Sequence, residues 1–216
     1  MSRFFRSPYG APRYADGDAV AASVATMAAL RALADPGDLV HGNECRVDAD
    51  GSEWVFHSTS ALTGDNLFVA TPDATAYASA GRWLRKTGPV DLAMAIAHGT
   101  ADAAVLATLP TGARLVVQGG YWEVTTGFTG GSSSAIGLSS SQTGHTTGGD
   151  VLGGSGGDVT ALLGTAGIKE ATIGADVAAG MVLVAASTIK FNRITSAFTA
   201  GAGYAHVHGF LYNPGA

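Results

Sequence analysis

Glycine is spread so unevenly along this chain that it marks a boundary: residues 1–98 hold 8 of the 31 glycines and residues 99–216 hold the other 23. Glycine inside a helix costs roughly 1 kcal/mol relative to alanine, which argues strongly against a helical second half. Short strands joined by tight turns suit glycine at this density, because glycine adopts the positive φ that such turns require.

Charge narrows the partners. Of the 216 residues, 46% are hydrophobic and only 13% charged, with a net charge of −5. This is unlike charge-driven disorder, and the negative balance leaves no global positive field for nucleic acid or an anionic membrane. Neither nucleic acid nor a membrane is expected as a partner. A spanning helix would need a run of about 18 apolar residues, and the chain has none. Arg3, Arg6 and Arg13 ahead of the small-residue run 19–30 approach a secretory signal, but Asp16 and Asp18 interrupt it and the run begins late. Cys45 is the single cysteine, so an internal disulfide and any C-x-x-C metal site are ruled out.

Four segments follow from the pattern. Residues 1–14 carry three arginines, no acid and the aromatics Phe4, Phe5, Tyr9 and Tyr14, with Pro8 and Pro12 blocking a helix; they read as an extended arm. Its partner-binding candidates are Arg3, Phe4, Phe5, Arg6, Tyr9, Arg13 and Tyr14. Residues 15–37 read as a helix from Asp18 to Ala34, capped by Asp16 or Asp18 and stopped by Pro36-Gly37, with Val20, Val24 and Met27 on one stripe. Residues 38–98 read as a small β-unit and linker. There Cys45-Arg46-Val47 and Glu53 to His57 flank an Asp50-Gly51 turn, and Leu67 to Ala70 and Gly81 to Arg85 follow.

Residues 99–216 read as a jelly roll or β-sandwich, making the chain mainly β. Candidate strands are Val105–Leu109, Ala113–Val117, Tyr121–Thr125, Ala171–Ile173, Met181–Ala185, Thr188–Ile194 and Tyr204–Leu211. The Gly/Ser-rich stretch 127–157 carries Ala135-Ile136-Gly137-Leu138 and Val151-Leu152, apolar punctuation that a solvated linker does not need; ordered loops and edge strands are expected. The Phe128-Thr129 and Phe198-Thr199 segments echo one another and suggest two similar loops.

Chemistry is sparse. No lysine follows a glycine, which removes a P-loop, and Gly153-Gly154-Ser155-Gly156-Gly157 lacks both the third glycine and the βαβ setting of a dinucleotide fingerprint. Gly130-Gly131-Ser132 does not form a nucleophile elbow. His206 and His208 share a strand face with Tyr204 and Phe210, but no acidic or cysteine ligand is near in sequence; a packed or intersubunit pair is expected rather than a metal site. His145 reads as a surface residue. Among Asp102, Glu123, Asp150, Asp158, Glu170 and Asp176 no catalytic pair stands out, and Asp150 and Asp158 read as turn caps. No catalytic residue, cofactor or metal is expected, and no enzyme.

Tyr121-Trp122-Glu123-Val124, Ser134 to Ser140, Gly149 to Gly154 and Ile194 to Gly201 resemble stretches in small structural proteins of tailed bacteriophages. The likeness is to jelly-roll or sandwich domains that decorate heads or join tail structures, and Gly81-Arg82-Trp83-Leu84 is similar to another β-module of phage virion proteins. The resemblance implies a virion structural protein, with capsid decoration or cementing as the leading role and the capsid surface as its place after assembly in the host cytoplasm. It implies the major capsid protein or other virion proteins as partners and a homo-oligomer, dimer or trimer. The alternative is a tail or fibre component for attachment or host glycan recognition, with Trp54, Trp83 and Trp122 as sugar-stacking candidates, at least two of which have strand settings that make them better core residues.

Overall fold

The computed structural model describes residues 4–6, 12–14, 22–33, 39–130, 134–154, 157–194 and 197–213. The chain is mainly β and divides into two compact units, Met1–Thr87 with Asn213–Ala216, and Gly88–Tyr212. The glycine boundary therefore falls eleven residues too late. Gly88–Ala97, read with the small β-unit, is a strand of the second unit in which Val90, Leu92, Met94 and Ile96 are buried in strict alternation.

In the first unit, β1 (Phe4–Arg6) and β2 (Pro12–Tyr14) pair antiparallel, Phe4 opposite Tyr14. The expected extended arm thus doubles back. Pro12 is tolerated because it opens its strand. The remaining strands are β3 (Ala22–Val24), β4 (Glu44–Val47), β5 (Glu53–His57), β6 (Val69–Ala70) and β7 (Arg82–Arg85), in the order β3-β4-β5-β7-β6. Among the described residues of the helix expected over 18–34, only Met27–Arg31 are helical, as α1. Val24, placed on the helical stripe, instead extends β3 and pairs in parallel with Val47, as a β-branched residue prefers. Thr26 then starts the helix, its Oγ1 accepting from the Ala29 amide at 3.2 Å. The Asp16, Asp18 and Pro36-Gly37 signals lie outside the described residues.

Leu30, Val47, Trp54, Phe56 and Trp83 form the core of this unit. The Asp50-Gly51 turn is present, with Gly51 at φ +68° and Asp50 accepting from the Ser52 amide. Buried Arg82 ties down the long connection before it, donating to the carbonyls of Leu62, Tyr77 and Gly81.

The second unit comprises β8 (Gly88–Ala97), β9 (Val105–Thr108), β10 (Arg114–Thr129), β11 (Ala135–Ser140), β12 (Asp158–Val159), β13 (Gly167–Glu170), β14 (Val182–Leu183), β15 (Thr188–Ile194) and β16 (Ala200–Tyr212). Two short helices, α2 (Thr160–Leu163) and α3 (Ala175–Ala178), sit between strands. One sheet runs β13-β10-β16-β8, with β14 also on β10; the other runs β12-β11-β15-β9. All pairings are antiparallel, a sandwich-like arrangement.

Three strand expectations change. Ala113–Val117 and Tyr121–Thr125 are one strand, β10, because a register shift between Val117 and Gly119 absorbs the extra residue as a bulge. Ala171–Ile173 contributes only a single bridge from Ile173 to Leu152, the strand proper lying just before it. The stretch 127–157 yields an interior strand, β11, rather than an edge strand, and all six of its residues are buried. Its glycines serve close packing. A Cβ on Gly137 would overlap the carbonyl oxygen of Gly148, so the 148–154 loop lies backbone to backbone against β11. The two echoing segments are not separate loops: Phe128 and Phe198 meet edge to face, 5.2 Å between centroids, and the Thr199 amide donates to the Thr129 carbonyl.

Candidate functional site

Alternation along β16 buries Ala205, Val207, Gly209 and Leu211, which leaves positions 204, 206, 208, 210 and 212 on the opposite face. Each of these carries a ring: Tyr204, His206, His208, Phe210 and Tyr212. Neighbouring β8 sets small or short residues beside them, with Pro89, Asp91, Ala93 and Ala95 opposite Phe210, His208, His206 and Tyr204. On the other flank β10 sets Arg114 opposite Tyr212, Val116 opposite Phe210, Tyr121 opposite His206 and Glu123 opposite Tyr204. Tyr204, Phe210 and Tyr212 are 40%, 43% and 53% exposed.

His206 is the exception, buried although it faces outward. Its Nδ1 lies 3.1 Å from Asp91 Oδ1 and its Nε2 lies 3.2 Å from Glu123 Oε2. The ring stacks on Tyr121 at 4.2 Å and 10°, and the Tyr121 hydroxyl donates to the second oxygen of Asp91 at 3.0 Å. Both nitrogens face carboxylates, an arrangement satisfied by the doubly protonated imidazolium. Burial alone would push His206 down, but hydrogen bonds and charge from Asp91 and Glu123 outweigh it and the net shift is upward. Burial likewise opposes ionised Asp91, yet its bonds to His206 and Tyr121 carry it below the usual range. Burial, then Asp91, push Tyr121 up to about 12.

Chemically this is a staple. An imidazolium held at both nitrogens has no lone pair to accept a proton, and it ties β8, β16 and β10 together across one face. A raised histidine stabilises the fold fully below its unfolded pKa and loses that contribution as pH rises through the folded value. Lowered Asp91 contributes above its unfolded value and loses it as pH falls through the folded one. Stability from the staple is therefore greatest in mildly acid solution. Thermal melts from about pH 5.5 to about pH 9 are expected to show wild type losing roughly 1 kcal/mol more than His206→Gln, the modest size reflecting solvent screening of the half-exposed carboxylates. Parallel curves for the two proteins would refute the assignment.

The remaining candidates are structural. Trp54, Trp83 and Trp122 are buried and offer no face to a sugar. Asp158 is not a turn cap: it is buried, accepting from Trp122 Nε1 at 2.6 Å and from the Thr172 amide and hydroxyl at 3.0 and 2.7 Å. His145 is half-buried rather than a free surface residue, its Nδ1 2.7 Å from Asp176 Oδ2. Asp102 accepts from the Arg193 amide, and Asp150 caps its own turn as expected, accepting from the Thr147 amide. Of the arm candidates, Phe4, Phe5, Arg6, Arg13 and Tyr14 lie in the paired strands β1 and β2, while Arg3 and Tyr9 lie outside the described residues. Among the described residues, no group of three His, Cys, Asp or Glu side chains is placed to hold a metal, and no helix is long and apolar enough to cross a membrane.

The same-face placement of His206 and His208 with Tyr204 and Phe210 follows from the period of a strand. Asp91 and Glu123 were missed as partners because they are brought in from distant strands by register. The chain matches no protein-family model, no curated protein and no solved structure.

Proposed function

We propose that this protein is a structural subunit of a tailed-bacteriophage virion, acting as a head decoration or cement protein. The observation that carries this reading is the ring-bearing face of β16: a rigid sheet offers contiguous aromatic surface with its one buried histidine already neutralised by carboxylates. Such surface suits adhesion between subunits better than turnover of a substrate. The low charge content, the sandwich-like unit and the resemblance to phage structural domains support the same role. On this reading the arginine- and aromatic-bearing arm docks on the major capsid protein or another virion protein, its rings offsetting the entropy of ordering.

Quantitative mass spectrometry of purified virions tests it. A decoration protein is present in numbers comparable with the shell protein, a tail or fibre component in a handful, and absence from particles refutes the virion role. The tail or fibre reading draws on the same face, since exposed Tyr204 and Tyr212 can stack on sugars. Removal of residues 1–14 is expected to leave the melting temperature nearly unchanged while emptying the particle of this protein; normal occupancy by the truncated chain would remove the arm from the mechanism.

A further inference from the structure

We propose that the outer face of the β8-β16-β10 sheet is a self-association surface on which a second copy of this chain packs antiparallel, β16 over β16. The inference deepens the assembly reading of this face and rests on it. An exposed apolar stripe crosses the strands at one level, Pro89, Phe210, Val116 and Val182 being successive register partners. Charge on this face is split along β10, with Arg114 beyond the stripe at one end and Glu123 toward the other, while Asp91, midway at the level of His208, is taken up by His206 and Tyr121.

A two-fold axis lying between the faces, across the strands at the level of His208, makes the two ends of β10 complementary to one another. It sets Arg114 over Glu123 of the partner subunit at both ends, Tyr212 over the partner subunit's Tyr204, and Phe210 over the partner subunit's His206. Eight residue steps at about 3.4 Å and four strand positions at about 4.8 Å give a face of roughly 500 Å² per copy. The pair thus covers roughly 1,000 Å², the threshold of a specific interface at about 1,000 Å², which fits a reversible dimer. A glycan would use the exposed rings but neither the apolar stripe nor the opposed charges.

Sedimentation velocity of the isolated full chain over a concentration series tests this. Wild type is expected to dimerise reversibly. Arg114→Glu sets Glu against Glu123 twice and Glu123→Arg sets Arg against Arg114 twice, so each alone is expected to dimerise at least about tenfold more weakly. Mixed in equal amounts they regain both pairs and dimerise again. Phe210→Lys, at an outward position free of the staple, is expected to dissociate as well, and melting curves establish that each variant is folded. A wild type that stays monomeric, dimers indifferent to Arg114→Glu and Phe210→Lys, or folded single variants that fail to rescue each other would overturn the proposal. So would a monomer that binds a polysaccharide panel saturably through Tyr204. Copy number in virions, measured separately, tells failure of this interface from failure of the virion role.

Discussion

Gly174→Ala is expected to destroy the folded second unit, at a cost of more than about 4 kcal/mol. A Cβ there would overlap the carbonyl of Asp150 and approach the Gly149 oxygen to 2.6 Å. These are backbone atoms, and they cannot rotate away as a side chain can. Asp150 is itself fixed by the Thr147 amide, and the neighbouring loop hydrogen bonds to β11 through Leu138 and Leu152. Gly149→Ala meets the same obstacle at the Gly154 carbonyl. Gly99→Ala is the control: a Cβ there has nothing within 4 Å and no left-handed φ to strain. Denaturant midpoints for the three variants test the idea directly, and a Gly174→Ala protein nearly as stable as Gly99→Ala would end it.

The second large effect is at Asp158. Asp158→Ala strands three donors, the indole of Trp122 and the amide and hydroxyl of Thr172, and opens space beside the largest buried side chain of β10. A loss of about 3 kcal/mol is expected. Trp122→Phe removes one donor but leaves the carboxyl its Thr172 bonds, and should cost less. Because Asp158 lies in β12 and Trp122 in β10, the bond joins the two sheets of the unit. A double-mutant cycle between them is expected to show strong coupling; additive losses would mean the bond contributes little.

Local pattern made part of this fold legible. Thr188–Ile194 was recognisable in full because Ile189 and Phe191 alternate with Lys190 and Asn192 and the pattern is buried accordingly. The β4-β5 hairpin followed from Asp50-Gly51. Gly88–Ala97 alternates as strictly, but its outward positions are mostly alanine, which lacks the contrast of a charged residue. Helix α1 was overextended because an alanine-rich stretch has high helix propensity, whereas Val24 is claimed by its parallel neighbour in β4. For the site, the ring face is a property of one strand and could be read from period two. The staple is not, since Asp91, Glu123 and His206 lie on three strands and meet only through a register that includes a bulge. Glycine density indicated turns, but nothing local separates a turn glycine from one that lets two backbones touch.

The central position of β16 also governs the order in which the protein can be made. Among the described residues β8 has its ladder partner only in β16, at the far end of the second unit, yet it is the first strand of that unit to leave the ribosome, with Val90, Leu92, Met94 and Ile96 on one side. At the usual pace of synthesis the intervening stretch takes roughly 5 to 20 s to emerge. Throughout that interval an apolar ten-residue strand waits without its mate. The ladder between β8 and β16 therefore closes only after translation has reached β16.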